Sequence, residues 1–270
     1  MPRPIWTGSI AFGLVNIPVK IFSAIEESTL DLDMLDKRNH ANIKYKRINE
    51  ENGKEVAWDN VVKGYKMEGR YIVLDEHDFE QAAAEKTKRI DIVSFAKEAE
   101  IDPIYYDNTY FLGADKKDKR TYVLFRDALK KSGMVGLGTY VLRNREHIGV
   151  IKVYENALVL TKLHYENEIR DLGDYDIPTT NEKPKGAELK MAVSLIEQLA
   201  APFDISQYKD EYTQQLMVFI KKKAKGEATS PKKTSKSIPK ETDSLMEQLK
   251  ASLSNRKAAS RKKTKDNHTR

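Results

Sequence analysis

Apolar and polar residues alternate with a period of two along much of the first two-thirds of the chain. From Leu14 to Ile21, the residues Val15, Ile17, Val19 and Ile21 fall on one side while Asn16, Pro18 and Lys20 fall on the other. That is the pattern of a strand with one buried face, and the whole stretch 5–25 reads as extended. Pro18 has no N–H to give to a ladder, so it confines the run to an edge or to a strand whose amide points away at that position. A hairpin is predicted next, with arms Ile43–Ile48 and Lys54–Trp58 around Asn49-Glu50-Glu51-Asn52-Gly53; Asn-Gly tolerates the positive φ angles a tight reversal needs. In its first arm Lys44 and Lys46 share one face, Ile43 and Tyr45 the other. Further strand patterns occupy Gly64–Leu74, Arg89–Ala96, Pro103–Leu112, Met134–Arg143, Ile148–Tyr154 and Leu158–His164. Two helices interrupt them. One follows an Asp75 cap to about Lys86; the other runs from about Lys119 to Lys131, with Tyr122, Phe125 and Leu129 on one buried face and Gly133 as its stop. Many short strands with a few added helices predict a mixed β/α fold built on a barrel or curved sheet.

After Pro178 the period lengthens. Leu189, Val193, Ile196 and Leu199 mark a helix that ends by Pro202, and Tyr208, Tyr212, Leu216 and Phe219 mark another, opened by Asp204 or Ser206. From 225 onwards the chain is rich in Lys, Ser, Thr and Pro, the composition of a disordered basic tail. Within it, Ser244-x-x-Glu247 is a capping-box pattern ahead of Leu245, Met246, Leu249 and Leu253. Three turns are marginal alone in water, so the segment 244–254 is either a transient helix or one that folds on a partner. The expected organisation is a core over 1–178, a helical arm over 179–224 and a tail over 225–270.

Charge sharpens this division. Residues 221–270 hold 16 Lys/Arg against 5 Asp/Glu, leaving 31 against 36 in the rest, so the net +6 is a basic tail on a mildly acidic body. Such a tail either binds nucleic acid or simply keeps the chain soluble. No run of apolar residues is long enough to span a membrane. The opening Met-Pro-Arg-Pro-Ile-Trp lacks the pattern of a signal peptide, and cysteine is absent. Together these predict a cytoplasmic, nucleoid-associated protein without disulfides or thiolate chemistry.

Little suggests catalysis. There is no P-loop, Gly133, Gly136 and Gly138 do not make a dinucleotide fingerprint, and the five histidines lack metal-ligand spacing. Asp171, Asp174 and Asp176 could hold a magnesium ion in a nuclease, but three acids around a glycine before Pro178 also suit an ordinary turn. No catalytic residue, cofactor or metal is expected.

Binding chemistry is better supported. Lys37, Arg38, Lys44, Lys46, Arg47 and Lys54 crowd the predicted hairpin, which has too little apolar content to bury itself. Its cations serve phosphates or meet Glu50, Glu51 and Glu55. Arg143 and Arg145 flank Asn144 at a strand-to-strand turn, and Lys232, Lys233, Lys262 and Lys263 lie in the tail. No helix gathers Arg, Asn and Gln on one face for base reading, so contact with the backbone of DNA, independent of sequence, is expected. An architectural binder indifferent to DNA ends is the alternative.

Several motifs carry a resemblance. Pro4-Ile5-Trp6-Thr7-Gly8-Ser9-Ile10 with Phe12-Gly13-Leu14-Val15-Asn16-Ile17-Pro18-Val19-Lys20, Glu100–Tyr106, Tyr140–His147, Ala201–Asp204 and Tyr208–Tyr212 resemble, in order, the bacterial Ku proteins of non-homologous end joining. The resemblance implies a homodimer, each subunit a β-barrel core with a helical arm, closing a ring around duplex DNA. It places the bridge over the DNA at 43–58 and the dimer contacts on Leu189, Val193, Ile196, Tyr208, Tyr212, Leu216 and Phe219. It also implies recruitment and stimulation of a bacterial ATP-dependent DNA ligase. Some relatives carry a Cys/His metal site in the bridge region; this chain keeps only His40 there, so no zinc is expected.

Overall fold

The N-terminal alternation folds as two strands rather than one. Strands β1 (Trp6–Phe12) and β2 (Val15–Ser23) pair antiparallel, with Ile10 opposite Ile17 and Trp6 opposite Ile21. The chain reverses at Gly13-Leu14, where Gly13 takes a φ of 55° and Leu14 is fully exposed. Apolar neighbours on both sides conceal this turn in the sequence. Pro18 lies just before the pairing of β2 with a third strand begins, so its missing N–H costs the ladder nothing there. The computed structural model describes residues 2–26, 30–82, 87–115, 118–178 and 186–227, and the chain divides into two units, Met1–Asp174 and Tyr175–Arg270.

Between β2 and the next barrel strand the chain makes a long excursion. It contains the hairpin β3 (Lys63–Met67) and β4 (Arg70–Leu74) and the short helix α1 (Glu76–Ala82). The run 64–74, expected as one strand, is therefore two, because Glu68 and Gly69 both adopt positive φ, 49° and 83°, and turn the chain. Asp75 and Asp78 cap the start of α1 reciprocally, each side chain accepting the other's backbone N–H. The remainder of the predicted helix, 83–86, lies outside the described residues.

The barrel resumes with β5 (Arg89–Lys97), β6 (Tyr106–Ala114), β7 (Met134–Leu142), β8 (Arg145–Tyr154) and β9 (Ala157–Leu163), with helix α2 (Lys119–Ser132) between β6 and β7. Among the described residues seven strands close in the order β1-β2-β6-β9-β8-β7-β5. The closing pair, β5 beside β1, is parallel; the others are antiparallel. Ile10, Ile17, Val19, Ile21, Ile90, Leu112, Tyr140, Ile151, Leu158 and Leu160 form one buried cluster. Tyr122, Phe125 and Leu129 of α2, the face that the helical spacing predicts, join it from outside the sheet. Gly133 ends α2 in the left-handed conformation, at a φ of 67°.

α2 is tied to the barrel by polar contacts as well. The Tyr122 hydroxyl donates to the Leu112 carbonyl at 2.6 Å and accepts from the Leu158 N–H at 2.7 Å, bridging β6 and β9. Arg126 donates to the Asn156 carbonyl in the turn between β8 and β9. Toward the opposite end of β9, Lys162 continues the inward series of Leu158 and Leu160 and pairs with Asp107 at 2.8 Å. That hydrogen bond holds the Asp107 carboxyl below its usual range and raises Lys162. The nearby Tyr140 hydroxyl is buried with no partner among the described residues, and burial pushes its pKa up.

The second unit contains helices α3 (Gly186–Leu199) and α4 (Glu211–Ala224). α4 starts later than predicted. Asp210 is its N-cap, accepting from the Thr213 N–H at 2.9 Å, whereas Asp204 caps a separate turn over Ile205–Gln207. Among the described residues no helix is long and apolar enough to cross a membrane.

Candidate nucleic-acid interface

The excursion 30–82 has no buried residue. What order it has comes from local bonds. Leu35 bridges Asn42, and the Asp36 N–H donates to the Ala41 carbonyl at 2.8 Å, making a tight loop that carries Lys37 and Arg38. The predicted reversal at 49–53 forms. The Asn49 side chain accepts from the N–H groups of Glu51 and Asn52, and Gly53 takes a φ of 68°. Its arms, however, are not strands; a single bridge, Ile48 with Glu55, joins their backbones, made by the Asn49 N–H to the Lys54 carbonyl and the Val56 N–H to the Arg47 carbonyl, both at 2.8 Å. The reason is physical. Arms charged on both faces, with no sheet to lie on, gain too little from pairing to extend the ladder.

The cations of this stretch sit in three environments. Arg38 is held in a two-pronged pair by Asp36, with contacts of 2.7 and 3.1 Å, which keeps the Asp36 carboxyl low and raises the Arg38 guanidinium. Lys46 reaches Glu55 across the reversal at 2.6 Å. Arg47 lies over the indole of Trp58, 4.7 Å from its centroid. Lys37, Lys44 and Lys54 are exposed and make no ion pair among the described residues. Two of the six predicted contacts are thus already neutralised by a neighbour, one is stacked and three face solvent. Such cations, free of a carboxylate, are the ones a phosphate meets without first breaking a pair.

Arg143 and Arg145 bracket the tight turn between β7 and β8, at the end of β8 away from α2. Arg143 and Asn144 adopt positive φ, 53° and 67°. Two such residues in succession suit the right-handed twist of a hairpin but are disfavoured for a side chain other than Gly, Asn or Asp at the first position. Both arginines are exposed. Lys232, Lys233, Lys262 and Lys263, and the segment 244–254, lie outside the described residues.

Two groups went unnoticed in the sequence. Trp58 is one; its pairing with Arg47 is a diagonal contact across the reversal that no linear pattern displays. Lys63, Lys66 and Arg70 on the β3–β4 hairpin are the other, hidden because Glu68-Gly69 lacks the usual Asn or Asp of a tight turn. Lys63 sits 4.9 Å from the Phe79 ring centroid.

Among the described residues no three His, Asp or Glu side chains are placed to hold a metal. Asp171 instead accepts from the Gly173 N–H at 2.8 Å, which is turn chemistry. His164 pairs with Glu168, and His147 is lowered by burial.

In the second unit neither helix has a buried residue. On α3, Leu189, Val193 and Ile196 are 52%, 44% and 66% exposed; Tyr212 and Phe219 of α4 are 76% and 37% exposed, and Leu216 is half-buried. Tyr208 precedes α4, in the turn capped by Asp204, and is exposed as well.

Comparison with known proteins agrees with this architecture. The family model described as the Ku70/Ku80 beta-barrel domain matches residues 11–191. The chain is 38% identical over 239 residues to the non-homologous end joining protein Ku of Opitutus terrae, covering 88% of this chain and 84% of that protein. It is 40% identical over 228 residues to the protein of the same name from Cupriavidus necator, covering 83% and 67%. Against that of Bacillus subtilis it is 35% identical over 227 residues, covering 83% and 73%. A closed barrel with a parallel seam, a helix packed on it and matches of this extent lead to one conclusion: the chain belongs to the Ku family of non-homologous end joining proteins.

Proposed function

We propose that two copies of this chain form a ring that admits double-stranded DNA through a free end, independent of sequence and without catalysis. The observation that carries this reading is the excursion 30–82: a cation-bearing stretch of barrel-flanking chain with no buried residue. A segment that buries nothing of its own has its surface available for a partner, and solvent-facing Lys37, Lys44 and Lys54 suit a polyanion. Arg143 and Arg145 add contacts from the β7–β8 turn, while Arg38, Lys46 and Arg47 exchange or share their present partners. The tail lysines Lys232, Lys233, Lys262 and Lys263 raise affinity without selecting ends. The apolar residues that α3 and α4 leave exposed supply the contact between subunits. A ligase is recruited afterwards: the ring holds the end and stimulates an ATP-dependent DNA ligase, which supplies all the chemistry, at the nucleoid.

End selection then follows from topology, since a closed ring cannot thread onto DNA that has no terminus. The test is binding to a linear duplex and to the same sequence as a covalently closed circle. Tight binding to the linear form alone is expected, with log affinity falling by ~0.9 per phosphate neutralised for each log of salt. Equal binding to both would remove threading and leave an architectural protein.

A further inference from the structure

We infer that Trp58 and Arg47 form a stacking platform for an unpaired nucleobase, so that the protein holds the single-stranded extension of a broken end as well as its duplex. The inference rests on the proposed reading that the excursion lies against DNA, and it adds a contact that backbone recognition does not include. A tryptophan exposed at 67% is costly to leave in water, and this one is fixed in place. It opens the helical turn Trp58–Asn60, whose Val61 N–H returns to the Trp58 carbonyl. Arg47 is anchored opposite by its carbonyl, which accepts from the Val56 N–H at 2.8 Å, and its guanidinium covers one side of the indole at 4.7 Å. Trp58 keeps its 67% exposure with that guanidinium in place.

An indole backed by a guanidinium is a flat, cation-polarised surface, and every base has a π-face that stacks on such a surface whatever its identity. The surroundings favour nucleic acid over a protein partner. Lys44 and Lys54, unpaired among the described residues, lie in the same two arms and suit the phosphates on either side of a stacked base. A paired base is already stacked on its neighbours, so the platform distinguishes an unpaired extension from blunt duplex.

The experiment uses the full chain, a blunt duplex and the same duplex with a short thymidine extension. Wild type should bind the extended duplex more tightly. Trp58→Ala should bind blunt duplex as wild type does and lose the advantage of the extension, a change of about tenfold, while Trp58→Phe keeps most of it. The chain has two tryptophans, so the difference in emission between wild type and Trp58→Phe reports residue 58, and that emission should be quenched by the extended duplex only. Equal affinity of wild type for both duplexes, or an equal loss on both in Trp58→Ala, overturns the platform. Failure of wild type to bind blunt linear duplex would instead count against the threading reading.

Discussion

Tyr122 does two jobs with one oxygen. Its hydroxyl satisfies the Leu112 carbonyl and the Leu158 N–H in a buried position, where neither has water as a substitute. Tyr122→Phe should therefore cost about 1–3 kcal/mol, the penalty of leaving buried polar groups unpaired, with no change in DNA contacts. Denaturant unfolding at a fixed protein concentration reads it. Asp107 and Lys162 give a pH signature. The carboxyl is depressed in the folded protein, so its contribution is present above its ordinary unfolded value of about 3.9 and is lost as pH falls through the lower folded value. Lys162, raised by the same bond, loses its contribution only in strong alkali, as pH climbs through its folded value. Asp107→Asn should flatten the acid limb of the stability profile and leave the neutral region little changed beyond the lost pair; an acid limb identical to wild type would mean that other carboxyls set it.

At the scale of elements, the antiparallel pairing of β5 with β7 depends on close packing. A Cβ on Gly138 would lie 2.3 Å from the Asp91 carbonyl oxygen and 2.9 Å from the Ile92 Cα, both backbone atoms, beside the bulge between Ile92 and Ser94. Gly138→Ala is expected to destabilise the barrel by about 4 kcal/mol or more, seen as loss of soluble folded protein or a steep fall in melting temperature. The parallel seam of β5 with β1 was not legible beforehand. Alternation marks a strand's faces but not its neighbours, and nothing local says that β5 returns beside β1. The face of α2 was legible, because three side chains at helical spacing and a terminal glycine agree. Turns were legible where Asn-Gly stood, at 52–53, and missed at Gly13-Leu14 and Glu68-Gly69, where apolar or acidic neighbours mask a glycine. The cations of the excursion could be counted in the sequence; which of them are quenched by Asp36 or Glu55, and that one stacks on Trp58, depends on contacts made across the loop.

For the whole molecule, the proposed ring requires two subunits, and the apolar side chains that α3 and α4 leave exposed are the surface proposed to join them. A charge placed among these side chains, as in the pair Val193→Asp and Phe219→Asp, should give a monomer by light scattering with the barrel's far-ultraviolet signal unchanged. If pairing is what encloses the DNA, the monomer should also lose its preference for linear over circular duplex. A variant that remains dimeric would move the contact elsewhere. The way the excursion is attached has a last consequence. It leaves the barrel after β2 and re-enters at β5, the strands on either side of β1, so its two roots are set by a frame that does not depend on what lies between them. Lengthening a loop costs entropy only logarithmically. Residues can thus be gained or trimmed there while every barrel register stays as it is, which leaves the gauge of the proposed passage free to be retailored without recutting its foundation.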